Sequence, residues 1–131
     1  MKQLNFHNSD KSIHTNLPII QRLVSTYKLW DNLRNHFPKN NRYTLGAKID
    51  NSFLDVIELL FLAQITNQNN KLPTLQKASS KLDLLKFFLQ ITWELKVLDN
   101  KKYIILSKPL NEIGRMLGGW LRTTEKKTPA N

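Results

Sequence analysis

The sequence predicts an all-α protein: an up-down antiparallel four-helix bundle that associates into a homo-oligomer. Three observations carry this expectation. Apolar residues recur at three and four positions in four separate segments, the spacing that puts them on one face of a helix. Short stretches of turn chemistry separate the segments, and short connections between helices imply antiparallel neighbours. The two middle segments are apolar on two sides, more than a lone bundle can cover.

In chain order, residues 1–16 are polar and aperiodic, so ordering them would return little burial, and a loose arm is expected. His7 and His14 lie in that arm and are assigned no metal role. The bundle is expected over residues 17–122. Asn16-Leu17-Pro18 opens the first helix, with Asn as cap and Pro in the first turn. Ile20, Leu23, Val24, Tyr27, Trp30 and Leu33 form its core stripe, and it ends near His36-Phe37-Pro38. Arg34 falls on the apolar side, so it either pairs with a carboxylate or emerges at the helix end, the end being the favoured place.

Pro38-Lys39-Asn40-Asn41 reads as a turn, after which Leu45, Ile49, Phe53, Val56, Leu60 and Ala63 make a second core stripe. Leu54, Phe61 and Ile65 form a row on nearly the opposite side. Asn67 to Pro73 is the next loop, and Thr74 is the expected cap of a third helix reaching about Leu98. Its core face is Ala78, Leu82, Leu85, Leu89, Thr92 and Trp93; Leu84, Phe87, Phe88, Ile91, Leu95 and Leu98 give it a second apolar side. The expected oligomer interface is therefore Leu54, Phe61, Ile65, Leu84, Phe87, Phe88, Ile91 and Leu95. Asp99-Asn100 connects to a fourth helix from near Lys101. Pro109 should kink that helix or mark its restart. Gly114 and Gly118, spaced i and i+4, allow another backbone to approach closely, and Gly118-Gly119 can end the helix before Trp120. Residues 123–131 should fray.

Lys and Arg outnumber Asp and Glu by 20 to 10, a formal charge of +10 that favours polyanionic partners. The excess avoids residues 51–73. With no cysteine, disulfides and thiolate zinc sites are excluded. No signal-like segment opens the chain, and Val56 to Ile65, interrupted by Glu58, is far short of a bilayer span. A cytoplasmic protein without membrane attachment is expected. No cofactor, metal or catalytic residue is assigned. A di-metal bundle site needs Glu-x-x-His pairs, which are absent. Asp55 and Glu58 lack a histidine or nucleophile nearby in sequence, and the glycines resemble no phosphate loop.

What remains is cationic. Leu106, Leu110, Ile113, Leu117 and Leu121 share one face of the fourth helix, while Lys101, Lys108, Arg115 and Arg122 recur every seven residues on another. Such a row can neutralise phosphates through salt-sensitive, sequence-independent contacts. Lys39, Arg42, Lys77 and Lys81 are further candidates. Trp30, Trp93 and Trp120 do not interleave with these cations, so base stacking is not expected.

Arg42-Tyr43-Thr44-Leu45-Gly46, following Phe37-Pro38-Lys39, and Glu112-Ile113-Gly114-Arg115-Met116-Leu117-Gly118-Gly119-Trp120 resemble the Avd-like family of small bacterial four-helix-bundle proteins. That family includes the accessory variability determinant proteins of diversity-generating retroelements and relatives encoded in ribosomal-RNA intervening sequences. The resemblance spans about Leu17 to Leu121. It implies a basic pentameric barrel, without enzymatic activity, that binds a reverse transcriptase and its template RNA during mutagenic cDNA synthesis. The intervening-sequence relatives imply the rival reading, a structural or protein-interaction bundle with no direct nucleic-acid role. Pro109 departs from the family, which tends to have a helix-forming residue there.

Overall fold

A computed structural model of the chain describes the backbone of residues 11–128 and the side chains of residues 18–128. The expectations for residues 1–10, His7 among them, and for residues 129–131 lie outside the described residues. Helix α1 spans Lys11–Arg34; α2, Lys39–Asn41, runs through a π turn at Arg42–Gly46 into α3, Ala47–Ile65. A 3₁₀ turn, Gln68–Asn70, precedes α4, Lys71–Glu94, and α5 covers Asn100–Lys127. Apart from the short connections, the described residues are helical, with no strand. α1 lies beside α3 and α5, and α4 beside α3 and α5, which leaves α3 diagonally opposite α5. Along α3 and α4, Asp55 pairs with Lys81 and Lys48 reaches the Phe88 ring. Descending numbers on one helix thus meet ascending numbers on the other, the antiparallel arrangement the short connections imply.

Apart from Trp93, the core stripes of α3 to α5 lie where periodicity puts them. Ile49, Phe53, Val56, Leu60 and Ala63 of α3 are fully buried, as are Ala78 and Leu85 of α4 and Leu106, Leu110 and Ile113 of α5. Trp30 packs edge-on to Phe37, with ring centres 5.2 Å apart, and stacks near Phe53 at 6.2 Å. Thr26, Ser52 and Thr92 are buried too, although they are polar. Each hydroxyl donates to the carbonyl one turn back, Arg22, Lys48 and Phe88 respectively, at 2.8 Å. That local bond satisfies the oxygen and lets small polar residues enter the core.

Several helix ends differ from the sequence expectation. α1 begins at Lys11, so Asn16-Leu17-Pro18 is not its start and Pro18 lies inside it. A proline removes one backbone bond and crowds the preceding turn, a local cost the surrounding turns outweigh. Pro38 is the N-cap of α2, so the segment read as a turn is the first turn of a helix. The π turn places Gly46 against Phe37: a Cβ there would lie 3.4 Å from the Asn41 carbonyl and 3.7 Å from the Phe37 ring. α4 begins at Lys71, not Thr74, with Pro73 in the first turn where its missing N–H has no helical partner anyway.

α4 ends at Glu94, before Leu98, in a two-bond Schellman turn. The Val97 amide donates to the Thr92 carbonyl at 3.0 Å and the Lys96 amide to that of Trp93 at 2.9 Å. Lys96 takes the left-handed position with φ of 63°. Leu98 then folds inward and is buried, while Trp93, expected in the core, is partly exposed and stacks on Tyr103 at 5.2 Å.

Asp99 caps α5, accepting from the Lys102 amide at 2.8 Å. The helix neither restarts at Pro109 nor stops at Gly118-Gly119, and it continues past Arg122 to Lys127. Pro109 removes only the bond to the Ile105 carbonyl, and Ile105 is exposed, so water can serve that oxygen. Beyond the glycines, Thr123 donates to the Gly119 carbonyl at 3.0 Å and Thr124 is buried, which carries the helix on.

Arg34 pairs with carboxylates and does not simply emerge at the helix end. Its guanidinium meets Asp31 at 2.7 Å and Asp50 of α3 at 3.1 Å. The same Asp50 oxygen accepts from the Tyr27 hydroxyl at 2.9 Å and the Trp30 indole N–H at 3.2 Å. Burial, reinforced by the neighbouring Asp50 carboxylate, pushes the Tyr27 hydroxyl's pKa above its ordinary 10.0.

Two stability outcomes follow. Asp50→Ala leaves the buried Trp30 N–H without its acceptor and Arg34 with Asp31 alone, and urea unfolding should show a loss of about 2–3 kcal/mol. Lys96→Gly relieves the left-handed backbone and should raise stability by about 0.5–1 kcal/mol, read from the midpoint at unchanged m-value.

Candidate nucleic-acid interface

The apolar stripe of α5 faces α1 and α4, so the opposite face must meet solvent. Lys101, Lys108, Arg115 and Arg122 stand on that face, all exposed. None of them forms an ion pair among the described residues. At about 1.5 Å rise per residue, successive members stand roughly 10 Å apart and the row extends about 31 Å. Glu112, three residues before Arg115, is drawn aside by a salt bridge to Arg22 of α1. That acid is thereby withdrawn from Arg115.

A seven-residue step on a straight helix turns by about 20°, so the row slants around α5. At its C-terminal end Arg115 and Arg122 border an open groove of about 510 Å³ between α4 and α5. Asn111, Gly114 and Gly118 line the α5 side; Ser79, Leu82, Asp83 and Lys86 line the α4 side. Lys86 was not singled out by sequence, because the step that brings it beside Arg115 is the packing of α4 on α5. Gly114 and Gly118 were the available signal, yet within the chain they admit cationic side chains and not a second backbone. A Cβ on Gly114 would stand 2.9 Å from Lys86 Nζ, and one on Gly118 would stand 3.4 Å from Arg122 Nη1.

The remaining candidates do not join this site. The Arg42 guanidinium donates to the carbonyls of Phe37 at 3.2 Å and Asn35 at 3.4 Å, and so closes the end of α1. Lys81 pairs with Asp55 at 3.6 Å on the α3 edge of α4, and Lys77, one turn earlier, lies on that same side. Lys39 is exposed in α2, beside the end of α1. Among the described residues no group of three or more His, Asp or Glu could hold a metal ion. No helix there is long and apolar enough to cross a membrane.

The two apolar rows remain on the surface of the single chain. Ile65, Phe87 and Leu95 are more than half exposed, at 56%, 54% and 58%. Leu54 and Leu84 are exposed as well, while Phe61, Phe88 and Ile91 are half-buried. On α3 the row lies about 100° from Asp55, which marks the edge shared with α4, and about 40° from Asp50, which meets α1, while on α4 it lies beyond the Lys81 edge. The α4 row therefore looks outward from the α3–α4 layer and the α3 row looks outward on the flank beside α1, both away from the cationic face of α5. Ile104 and Ile105, also exposed, carry no sequence assignment.

Comparison with known proteins places this arrangement. A family model described as bAvd-like matches residues 18–124, which holds the core stripes, the cationic row and both apolar rows. No curated protein matches the chain.

Proposed function

The chain belongs to the bAvd-like family, and from that premise we propose that it is a non-enzymatic, cytoplasmic accessory protein that binds nucleic acid. In this reading it serves a diversity-generating retroelement, holding template RNA for the reverse transcriptase during mutagenic cDNA synthesis. The observation that supports it best is the row of unpaired cations on the face of α5 opposite the core. Phosphates meeting that row release condensed counterions, a gain that needs no base contact. Among the described residues no carboxylate pairs with the row, which matters because an internal pair would have to break before a phosphate could bind.

The chain acts here as a homo-oligomer, a pentamer by analogy with the family. The outward rows of α3 and α4 support a self-contact: exposed apolar groups on this scale are commonly interface. With those rows covered, the cationic faces of successive subunits remain available, which multiplies phosphate contacts along one nucleic acid.

Binding of structured RNA, followed by mobility shift at rising salt, should give a log K against log salt slope of roughly −3 to −4 for four engaged side chains. Changing Lys108, Arg115 and Arg122 together to Gln should flatten that slope by about 2 to 3. Unchanged affinity would remove the row as a nucleic-acid surface and favour the protein-interaction bundle. Light scattering should report a mass several times the 15.3 kDa of one chain. Phe87→Glu with Leu95→Glu should return the monomer mass, and a monomeric wild type would contradict the self-contact.

A further inference from the structure

We propose that the groove between α4 and α5 is a phosphate clamp, in which Lys86, Arg115 and Arg122 hold a phosphodiester of a bound RNA strand over glycine-bare backbone. The inference rests on the nucleic-acid reading above and adds a place, a residue from a second helix and a role for the glycines. The clamp depends on side chains lying down where a helix normally projects Cβ atoms. Lys86 Nζ sits 2.9 Å from where the Cβ of an alanine at position 114 would stand, and Leu82 Cδ2 lies 3.8 Å from the same point. One turn on, Arg122 Nη1 sits 3.4 Å from the equivalent point of Gly118, and Nη2 3.9 Å from that of Gly119. Two cations from different helices thus rest along one bare stretch of α5, with Arg115 at its edge.

The electrostatics of the groove ask for an anion. Asp83 is the one carboxylate lining it, against Lys86, Arg115 and Arg122, and no ion pair joins Asp83 to any of them. Elsewhere the chain pairs Arg22, Arg34 and Lys81 with carboxylates. Three like charges converging without matching acids repel one another, and a phosphate between them relieves that repulsion. Asn111 and Ser79 line the same groove and offer neutral donors to phosphate oxygens. The volume, about 510 Å³, lies within the range of small-ligand sites and is open to solvent, as a strand running across it requires. Glycines at helix-interior positions weaken the helix, so a row of them in α5 needs a compensating use. Holding long cationic side chains close to the backbone before RNA arrives lowers the ordering cost of binding.

The test is fluorescence anisotropy of labelled structured RNA with the full chain over a salt series. Lys86→Gln should weaken binding about five- to tenfold near 0.1 M salt, the factor of one released counterion, and reduce the slope by about 0.7 to 0.9. Gly114→Ala should weaken binding severalfold, by displacing the Lys86 ammonium, while its Tm stays unchanged or rises because alanine favours the helix. Opposite movement of affinity and Tm separates the clamp from a folding defect. Lys48→Gln, on the far side of the bundle, should stay within twofold of wild type. Wild-type affinity in both Lys86→Gln and Gly114→Ala, with weakened binding in a Lys101→Gln, Lys108→Gln double variant, would overturn the clamp and leave the nucleic-acid reading standing. Absence of RNA binding by the wild type would overturn both.

Discussion

Leu106, Leu110, Ile113 and Leu117 have to leave water together, and the rest of the arrangement depends on that burial. All four are at most 1% exposed, and each contributes about 1.5–3 kcal/mol by leaving solvent. Their burial fixes how α5 is rotated about its own axis. Once rotated so, Lys101, Lys108, Arg115 and Arg122 can only point outward, Glu112 only toward Arg22, and Gly114 and Gly118 only toward α4. The charge pattern of the surface is thus a consequence of the core.

The other end of the bundle is set by polar chemistry. Asp50 gathers Tyr27, Trp30 and Arg34 from α1 onto one carboxylate oxygen of α3. A half-buried carboxylate is tolerable because its charge meets a guanidinium and two further donors. The arrangement fixes how far α1 slides along α3, which apolar stripes alone specify loosely. Arg42 closes the same corner by bonding the carbonyls at the end of α1. The Arg42 to Gly46 motif is therefore fold chemistry, a π turn with a close glycine, and it accounts for a signature that periodicity alone would miss.

Much of this was legible in the residues because periods of three and four report burial directly. Ile49 to Ala63 and Leu106 to Leu117 are core in sequence and in space. Thr26 and Ser52 escaped because their hydroxyls look polar until the carbonyl four residues back is counted. Helix ends are less legible, since a proline or glycine in the sequence looks like a break. Pro18, Pro109, Gly118 and Gly119 all lie inside helices whose flanking turns outweigh their local cost. Lys86 was illegible for a different reason: its neighbours in the groove belong to another helix, and only the packing of α4 on α5 brings them together.

The most direct measurement is lysine acetylation footprinting of the wild-type protein with and without structured RNA, resolved by peptide mass spectrometry. Lys86, Lys101 and Lys108 should become protected when RNA binds, while Lys48 and Lys81, on the α3–α4 edge away from the α5 face, should acetylate as before. Protection centred on Lys48 and Lys81, or equal protection at every lysine, would contradict a nucleic-acid surface built on the face of α5 opposite its core.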